Sequence, residues 1–197
     1  MNKEVKKIYD EVYNLFPLSN LKKHRYVRRD WIFPNHIDVM IKLCEEMCAT
    51  HKGNLTICYL STILHDTGLV YGRTSTSSKG HEERSLEYAR NILKKHGFNK
   101  EIIKQVLDCI KATNPSITPK NLEQKIVRTA DALSQLISIH FIAKATFSEN
   151  IKEYIIWLEK KLNKNLKKIC FDKEKILAES IVNYYLNAIK IYREFNK

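Results

Sequence analysis

The stretch 55–66, LTICYLSTILHD, carries no charge until its final residue. A helix that is apolar all round has no face to offer water, so it must run through the middle of a helical bundle. Asn54 before it is a good N-cap, and Gly53 is placed to end the helix before that. Helical spacing surrounds this core element. Residues 3–16 repeat apolar positions at Val5, Ile8, Tyr9, Val12, Leu15 and Phe16, and Pro17 ends the run. Pro34 and Asn35 open a helix to about His51, with Ile37, Met40, Ile41, Cys44 and Met47 on one side. Further helices are expected over 82–96, closed by Gly97, and over 99–112. A long one, capped by Asn121, is expected over 122–146, and two more over 149–168 and 173–195. The polar segment 67–80 and the segment 113–120, with Pro115 and Pro119, read as loops. Five glycines and four prolines in 197 residues leave little room for a strand-and-turn architecture. The expectation is one all-α domain over 1–197: a helical-bundle core over about 20–146 and an additional C-terminal helical hairpin over about 147–197.

The apolar helix ends in His65-Asp66. An imidazole and a carboxylate at the end of a buried element must be paired, bound to a cation, or left half exposed as a cap, and the pair alone does not choose. His36 supplies a partner. It sits in the first turn of the preceding helix, and the start of one helix lies at the same edge as the end of its antiparallel neighbour. Asp131 lies mid-helix in KIVRTADALSQLI among Ile126, Val127, Ala130, Leu133 and Leu136, on a face that is expected to be buried. His36, His65, Asp66 and Asp131 together form a mixed nitrogen and oxygen donor set. It suits one divalent ion of Mn, Fe, Ni, Co, Zn or Mg, with positions open to water and substrate.

The pattern His36…His65-Asp66…Asp131 resembles the HD superfamily of metal-dependent phosphohydrolases. The local texture agrees: LHDTG at the end of the apolar helix, GHEERSLEYARNIL after it, and RTADAL around the last ligand. The resemblance spans about residues 30–136. It implies an HD-domain helical bundle and hydrolysis of a nucleotide or other small phosphate ester, mono- or diester, by a metal-activated water. Two-metal relatives carry a further histidine where this chain reads CIKATNP, with Thr113 in the corresponding region. One metal per site is therefore expected, with His81 contacting substrate or supporting the ligands. Asp66 is expected to orient the attacking water and His81 to protonate the leaving oxygen. Lys79, Arg84 and Arg73 are the candidate phosphate contacts. Glu82 and Glu83 suit acid–base work or the first turn of a helix equally well. Arg128 reads as a salt bridge before a substrate contact.

The net charge of +12, from 34 Lys and Arg against 22 Asp and Glu, draws anions. The run Lys22, Lys23, Arg25, Arg28 and Arg29, with Tyr26 and Trp31, is the best nucleic-acid candidate, although a solvated basic edge explains it more simply. Nucleic acid is thus a possible but not a favoured partner, and a small phosphorylated substrate is the favoured one. Five cysteines with no C-x-x-C pair read as reduced thiols of a cytoplasmic protein. The opening segment, MNKEVKKIYDEVYNLF, carries acids and lacks the apolar stretch of a signal peptide. No stretch reaches the ~18 apolar residues of a membrane span. Tyr154, Trp157, Tyr184, Tyr185 and Tyr192 suit core packing, a pocket wall or a dimer interface, so a homodimer remains open. Two rival functions use the same residues: a non-catalytic metal- or nucleotide-binding regulatory module, and a basic RNA-associated protein with a structural metal.

Overall fold

A computed structural model describes residues 1–17, 28–70, 80–146 and 148–196. The Lys22–Tyr26 part of the basic run, together with Arg73 and Lys79, lies outside the described residues. Among those described, every regular element is helical. The order is α1 (Lys3–Leu15), α2 (Arg29–Ile32), a π-turn (Phe33–Ile37), α3 (Asp38–His51), α4 (Leu55–Leu64), a 3₁₀ turn (Thr67–Leu69), α5 (His81–Lys95), α6 (Lys100–Ala112), α7 (Leu122–Ile137), α8 (His140–Thr146), α9 (Ile151–Leu166) and α10 (Asp172–Phe195). Asn2, Asn54, Asn99, Asn121 and Asn150 open α1, α4, α6, α7 and α9, each side chain accepting from backbone N–H groups of the first turn. Each such cap is worth about 1 kcal/mol.

The apolar α4 sits where its composition requires. Every residue from Ile57 to Leu64 is buried, and α1, α3, α6 and α7 pack around it. The second buried axis is α7. Its Ile126, Val127 and Ala130 join the core built around α4. Its Ala132, Leu133 and Leu136 join a second core with Phe141, Ile155, Leu158, Leu162, Val182 and Ile189 from α8, α9 and α10. Tyr154, Trp157, Tyr185 and Tyr192 pack on that second core, whereas Tyr184 is exposed.

Four local expectations are corrected. The helix expected from Pro34 begins earlier, at Arg29, and widens into a π-turn through Pro34. The Asp38 N–H reaches back five residues to Phe33 O. Proline has no N–H to give the normal ladder, and the turn that absorbs this defect carries His36. Lys52, not Gly53, takes the left-handed position at the end of α3, with φ of 64°. Gly53 instead packs close to α7: a Cβ there would lie 2.6 Å from Ile126 Cδ1, and that side-chain end would have to shift. The helix expected over 122–146 is broken at Ser138, whose extended backbone separates α7 from α8. The Ser138 N–H closes α7 on Ser134 O, and its Oγ accepts from the His140 N–H. Finally, the loop expected from residue 67 starts as a buried 3₁₀ turn.

Candidate metal centre

Three segments bring the sequence candidates together. The π-turn supplies His36, the C-terminal end of α4 supplies His65 and Asp66, and the middle of α7 supplies Asp131. His36 Nε2 lies 3.1 Å from His65 Nε2, 3.6 Å from Asp66 Oδ2 and 3.6 Å from Asp131 Oδ1. His65 Nε2 lies 3.4 Å from Asp66 Oδ2 and 4.0 Å from Asp131 Oδ1. Bonds of about 2.1 Å to one ion set neighbouring donors about 3.0 Å apart at right angles and about 3.4 Å apart at tetrahedral angles. The observed separations set His36, His65 and Asp131 around a common centre, with Asp66 Oδ2 beside both Nε2 atoms. His36, His65 and Asp131 form a buried group able to hold a metal ion.

The hydrogen bonds fix which ring nitrogen faces that centre. Ser134 Oγ donates to Asp131 O (3.0 Å), so at 2.8 Å it accepts from His36 Nδ1–H. His65 Nδ1–H donates to Thr62 O at 2.8 Å. Both Nε2 atoms are therefore the donor atoms, held in the tautomer a metal requires by groups behind them. Asp131 is anchored in the same way. Gln135 Nε2 donates to Asp131 Oδ1 at 2.9 Å, Asn165 Nδ2 donates to Gln135 Oε1 at 3.2 Å, and the Lys168 ammonium pairs with Asp131 Oδ2.

Two facing imidazole lone pairs need a cation between them. Burial alone lowers the pKa of His65, but the Asp66 and Asp131 carboxylates outweigh it and raise the value to about 9. Burial and the charge on His65 push His36 down to about 4. Both carboxyl groups resist the upward pull of burial. His65 and His36 hold Asp66 well below the usual carboxylate range, and Lys168 with His65 does the same for Asp131. Without metal, one proton resides on His65 and bridges to His36. Because the raised value belongs to the metal-free protein, metal must displace that proton at every pH below about 9. Apparent affinity for Mn²⁺ is expected to rise about tenfold per pH unit below that value and to level off above it. Calorimetric titrations in buffers of different ionisation enthalpy should show about one proton released per ion at pH 7. Affinity that does not change with pH would contradict the proton assignment.

His81 opens α5 at the rim, with Nε2 3.8 Å from Asp66 Oδ1. Its position depends on Gly68. A Cβ at Gly68 would lie 2.0 Å from His81 O and 2.7 Å from Ser85 N, so only glycine lets the turn after Asp66 meet α5. The Gly68 N–H donates to Ser85 Oγ (2.8 Å), and Arg84 Nε donates to Gly68 O (3.0 Å). Arg84, expected to contact phosphate, thus braces the turn that carries Asp66. Gly68→Ala is expected to lower stability by about 2 kcal/mol through overpacking against backbone. Urea denaturation measures this, and an unchanged midpoint would show that the turn can move away.

Two further expectations are revised. Arg128, read as a salt bridge, instead donates to the carbonyls of Ala112, Asn114, Pro115 and Ile117 and so shapes the α6–α7 connection. Glu82 Oε2 accepts from Asn114 Nδ2 at 2.7 Å, tying the start of α5 to that same connection.

The sequence reading missed the contribution of the C-terminal helices. Lys168, Asn165 and Gln135 are buried beside Asp131. Lys161 lies close enough that its charge acts on Asp131, His36 and His140. A signal was available: Lys161 and Asn165 fall on the face of α9 that otherwise carries Ile155, Leu158 and Leu162 toward the core.

The span holding His36, His65, Asp66, His81 and Asp131 coincides with a match to the HD domain over residues 35–136. The chain belongs to the HD family. This HD protein also resembles, in fold, the crystal structure of a predicted HD superfamily hydrolase from an uncultured Thermotogales bacterium. The two share 17% identity at a TM-score of 0.63, over 98% of this chain and 92% of that one. The likeness runs beyond residue 136, so the C-terminal helices of this HD protein belong to the shared architecture. No curated protein matches the chain. No helix among the described residues is long and apolar enough to cross a membrane.

Proposed function

We propose that this HD protein is a metal-dependent phosphohydrolase acting on a nucleotide or another small phosphate ester. The supporting observation is the convergence of two Nε2 lone pairs and an Asp131 oxygen, from three segments, on one buried point, with Asp66 beside both nitrogens and the partly exposed His81 at the rim. A divalent ion held by His36, His65, Asp66 and Asp131 supplies Lewis-acid activation of water and of a phosphoryl oxygen. Asp66 has a second duty in this reading. Its Oδ2 faces the donor set while its Oδ1 faces His81, so the carboxylate can align an attacking water. His81 then delivers a proton to the leaving oxygen. Arg73 and Lys79 remain proposed phosphate contacts from the segment after Asp66. The free thiols Cys44, Cys48, Cys58, Cys109 and Cys170 fit a cytoplasmic setting.

The test is a panel of nucleotides, p-nitrophenyl phosphate and bis(p-nitrophenyl) phosphate, run on protein loaded in turn with Mn²⁺, Fe²⁺, Ni²⁺, Co²⁺, Zn²⁺ and Mg²⁺. Turnover that requires the ion and disappears with chelator is expected. Tight metal binding without turnover of any phosphate ester would favour the regulatory-module reading instead.

A further inference from the structure

The second core brings more than packing to the metal centre. Lys161, Asn165 and Lys168 recur at one-turn spacing along α9 and its end, so they share a face. Two of them have landed on α7: Asn165 on Gln135 and Lys168 on Asp131. The helices therefore run antiparallel here. Continuing that register by one turn sets Lys161 beside the start of α8, where desolvation and then the Lys161 charge push the half-buried His140 down to about 3. The same charge acts on Asp131 and His36, and Asp66 and Asp131 act on Lys161 in return. Lys161 therefore lies on the face of α9 that Asn165 and Lys168 turn toward α7.

Lys168 and Lys161 differ in what they do there. Lys168 is committed to a carboxylate. Among the described residues, no hydrogen bond or ion pair reaches the Lys161 ammonium. Burial lowers its pKa to about 8, against the pull of Asp131 and Asp66, which leaves it mostly protonated at neutral pH. A half-buried cation packed on this face without a counter-charge is costly, and an anionic ligand removes that cost.

The charge balance indicates which anion. The carboxylates Asp66 and Asp131 offset a divalent ion. His36 and His65 are neutral as ligands, and His140 is neutral through burial. At the rim, Glu82 and Glu83 offset Arg84 and the proton that His81 is proposed to deliver. Among the described residues Lys168 and Lys161 remain behind the donor set, an excess of two positive charges. A phosphate diester carries one negative charge, whereas a phosphomonoester approaches two at neutral pH. We propose that Lys161 is the substrate-binding cation of this site and that it gives the enzyme a preference for dianionic phosphomonoesters over diesters. The inference rests on the phosphohydrolase reading for its substrate, but the binding of a dianion to the loaded site is separable from turnover.

The experiment compares wild type, Lys161→Gln, Lys161→Met and Lys161→Arg, each loaded with Mn²⁺. Calorimetry measures inorganic phosphate binding, and kinetics measures p-nitrophenyl phosphate against bis(p-nitrophenyl) phosphate. Phosphate affinity is expected to fall about thirtyfold in the Gln and Met variants, with Mn²⁺ affinity retained or raised, and to recover in the Arg variant. KM for the monoester should rise by a similar factor while the diester changes less than about threefold. The Met variant keeps the apolar stem, so at least one neutral replacement should preserve the fold. Unchanged phosphate binding in folded neutral variants, or equal losses for monoester and diester, overturns the inference. If wild type hydrolyses neither ester, the phosphohydrolase reading fails while the phosphate titration still decides the role of Lys161.

Discussion

Asp66→Ala is expected to reduce metal-dependent hydrolysis by roughly a thousandfold or more while the protein remains folded. Asp66 is the one residue that faces both halves of the site. Its Oδ2 lies within 3.6 Å of both histidine Nε2 atoms, and its Oδ1 faces His81. Removing it deletes a metal donor and the group that aligns water. It also takes away a carboxylate that keeps the His65 pKa high. The fold should persist because Asp66 lies at the end of α4, outside the apolar contacts of that helix, and its side chain keeps some exposure. The measurement is kcat with saturating Mn²⁺, alongside a thermal melt. Turnover within about tenfold of wild type would remove Asp66 from the reaction.

Lys168→Met is expected to cost about 3 kcal/mol of stability in the presence of chelator and clearly less with saturating metal. Lys168 and Asp131 are both buried, and the ammonium pairs with the carboxylate oxygen turned away from the histidines. Deleting the lysine leaves a buried carboxylate with its remaining support from Gln135 and the nearby histidines. A divalent ion bound on the other oxygen restores much of the missing positive charge. For a chain of this length, 1 kcal/mol corresponds to about 2–4 °C in Tm, so the chelated variant should melt roughly 6–12 °C below wild type. Differential scanning calorimetry with and without metal measures both numbers. Equal losses in the two conditions would mean that Asp131 does not sense the ion.

The parts of this architecture that depend on hydrophobic periodicity and on antiparallel neighbours could be read from the sequence. The uncharged run before His65 required a central helix, and the adjacent helix start required His36 to lie at the same edge. The break at Ser138 could not be read in this way. Ile137, Ile139 and Ile142 continue an apolar pattern through it, yet all three are exposed. The signal there is a backbone conformation stabilised by a serine hydroxyl, and periodicity does not report it. Gly53 looked like a helix terminator, but Lys52 takes the left-handed position and Gly53 lies close against Ile126, a contact that joins distant segments. Lys168 stands next to Lys167 in a lysine-rich chain, and only the packing of α9 on α7 separates the buried one from the solvated one. Arg128 was misread because its partners are backbone carbonyls, which leave no trace in side-chain patterns.

Anomalous diffraction from crystals soaked in Mn²⁺ measures the central geometry directly. One strong peak is predicted, within bonding distance (about 2.0–2.3 Å) of His36 Nε2, His65 Nε2 and one oxygen each of Asp66 and Asp131. A peak elsewhere, or none at saturating metal, would contradict the account.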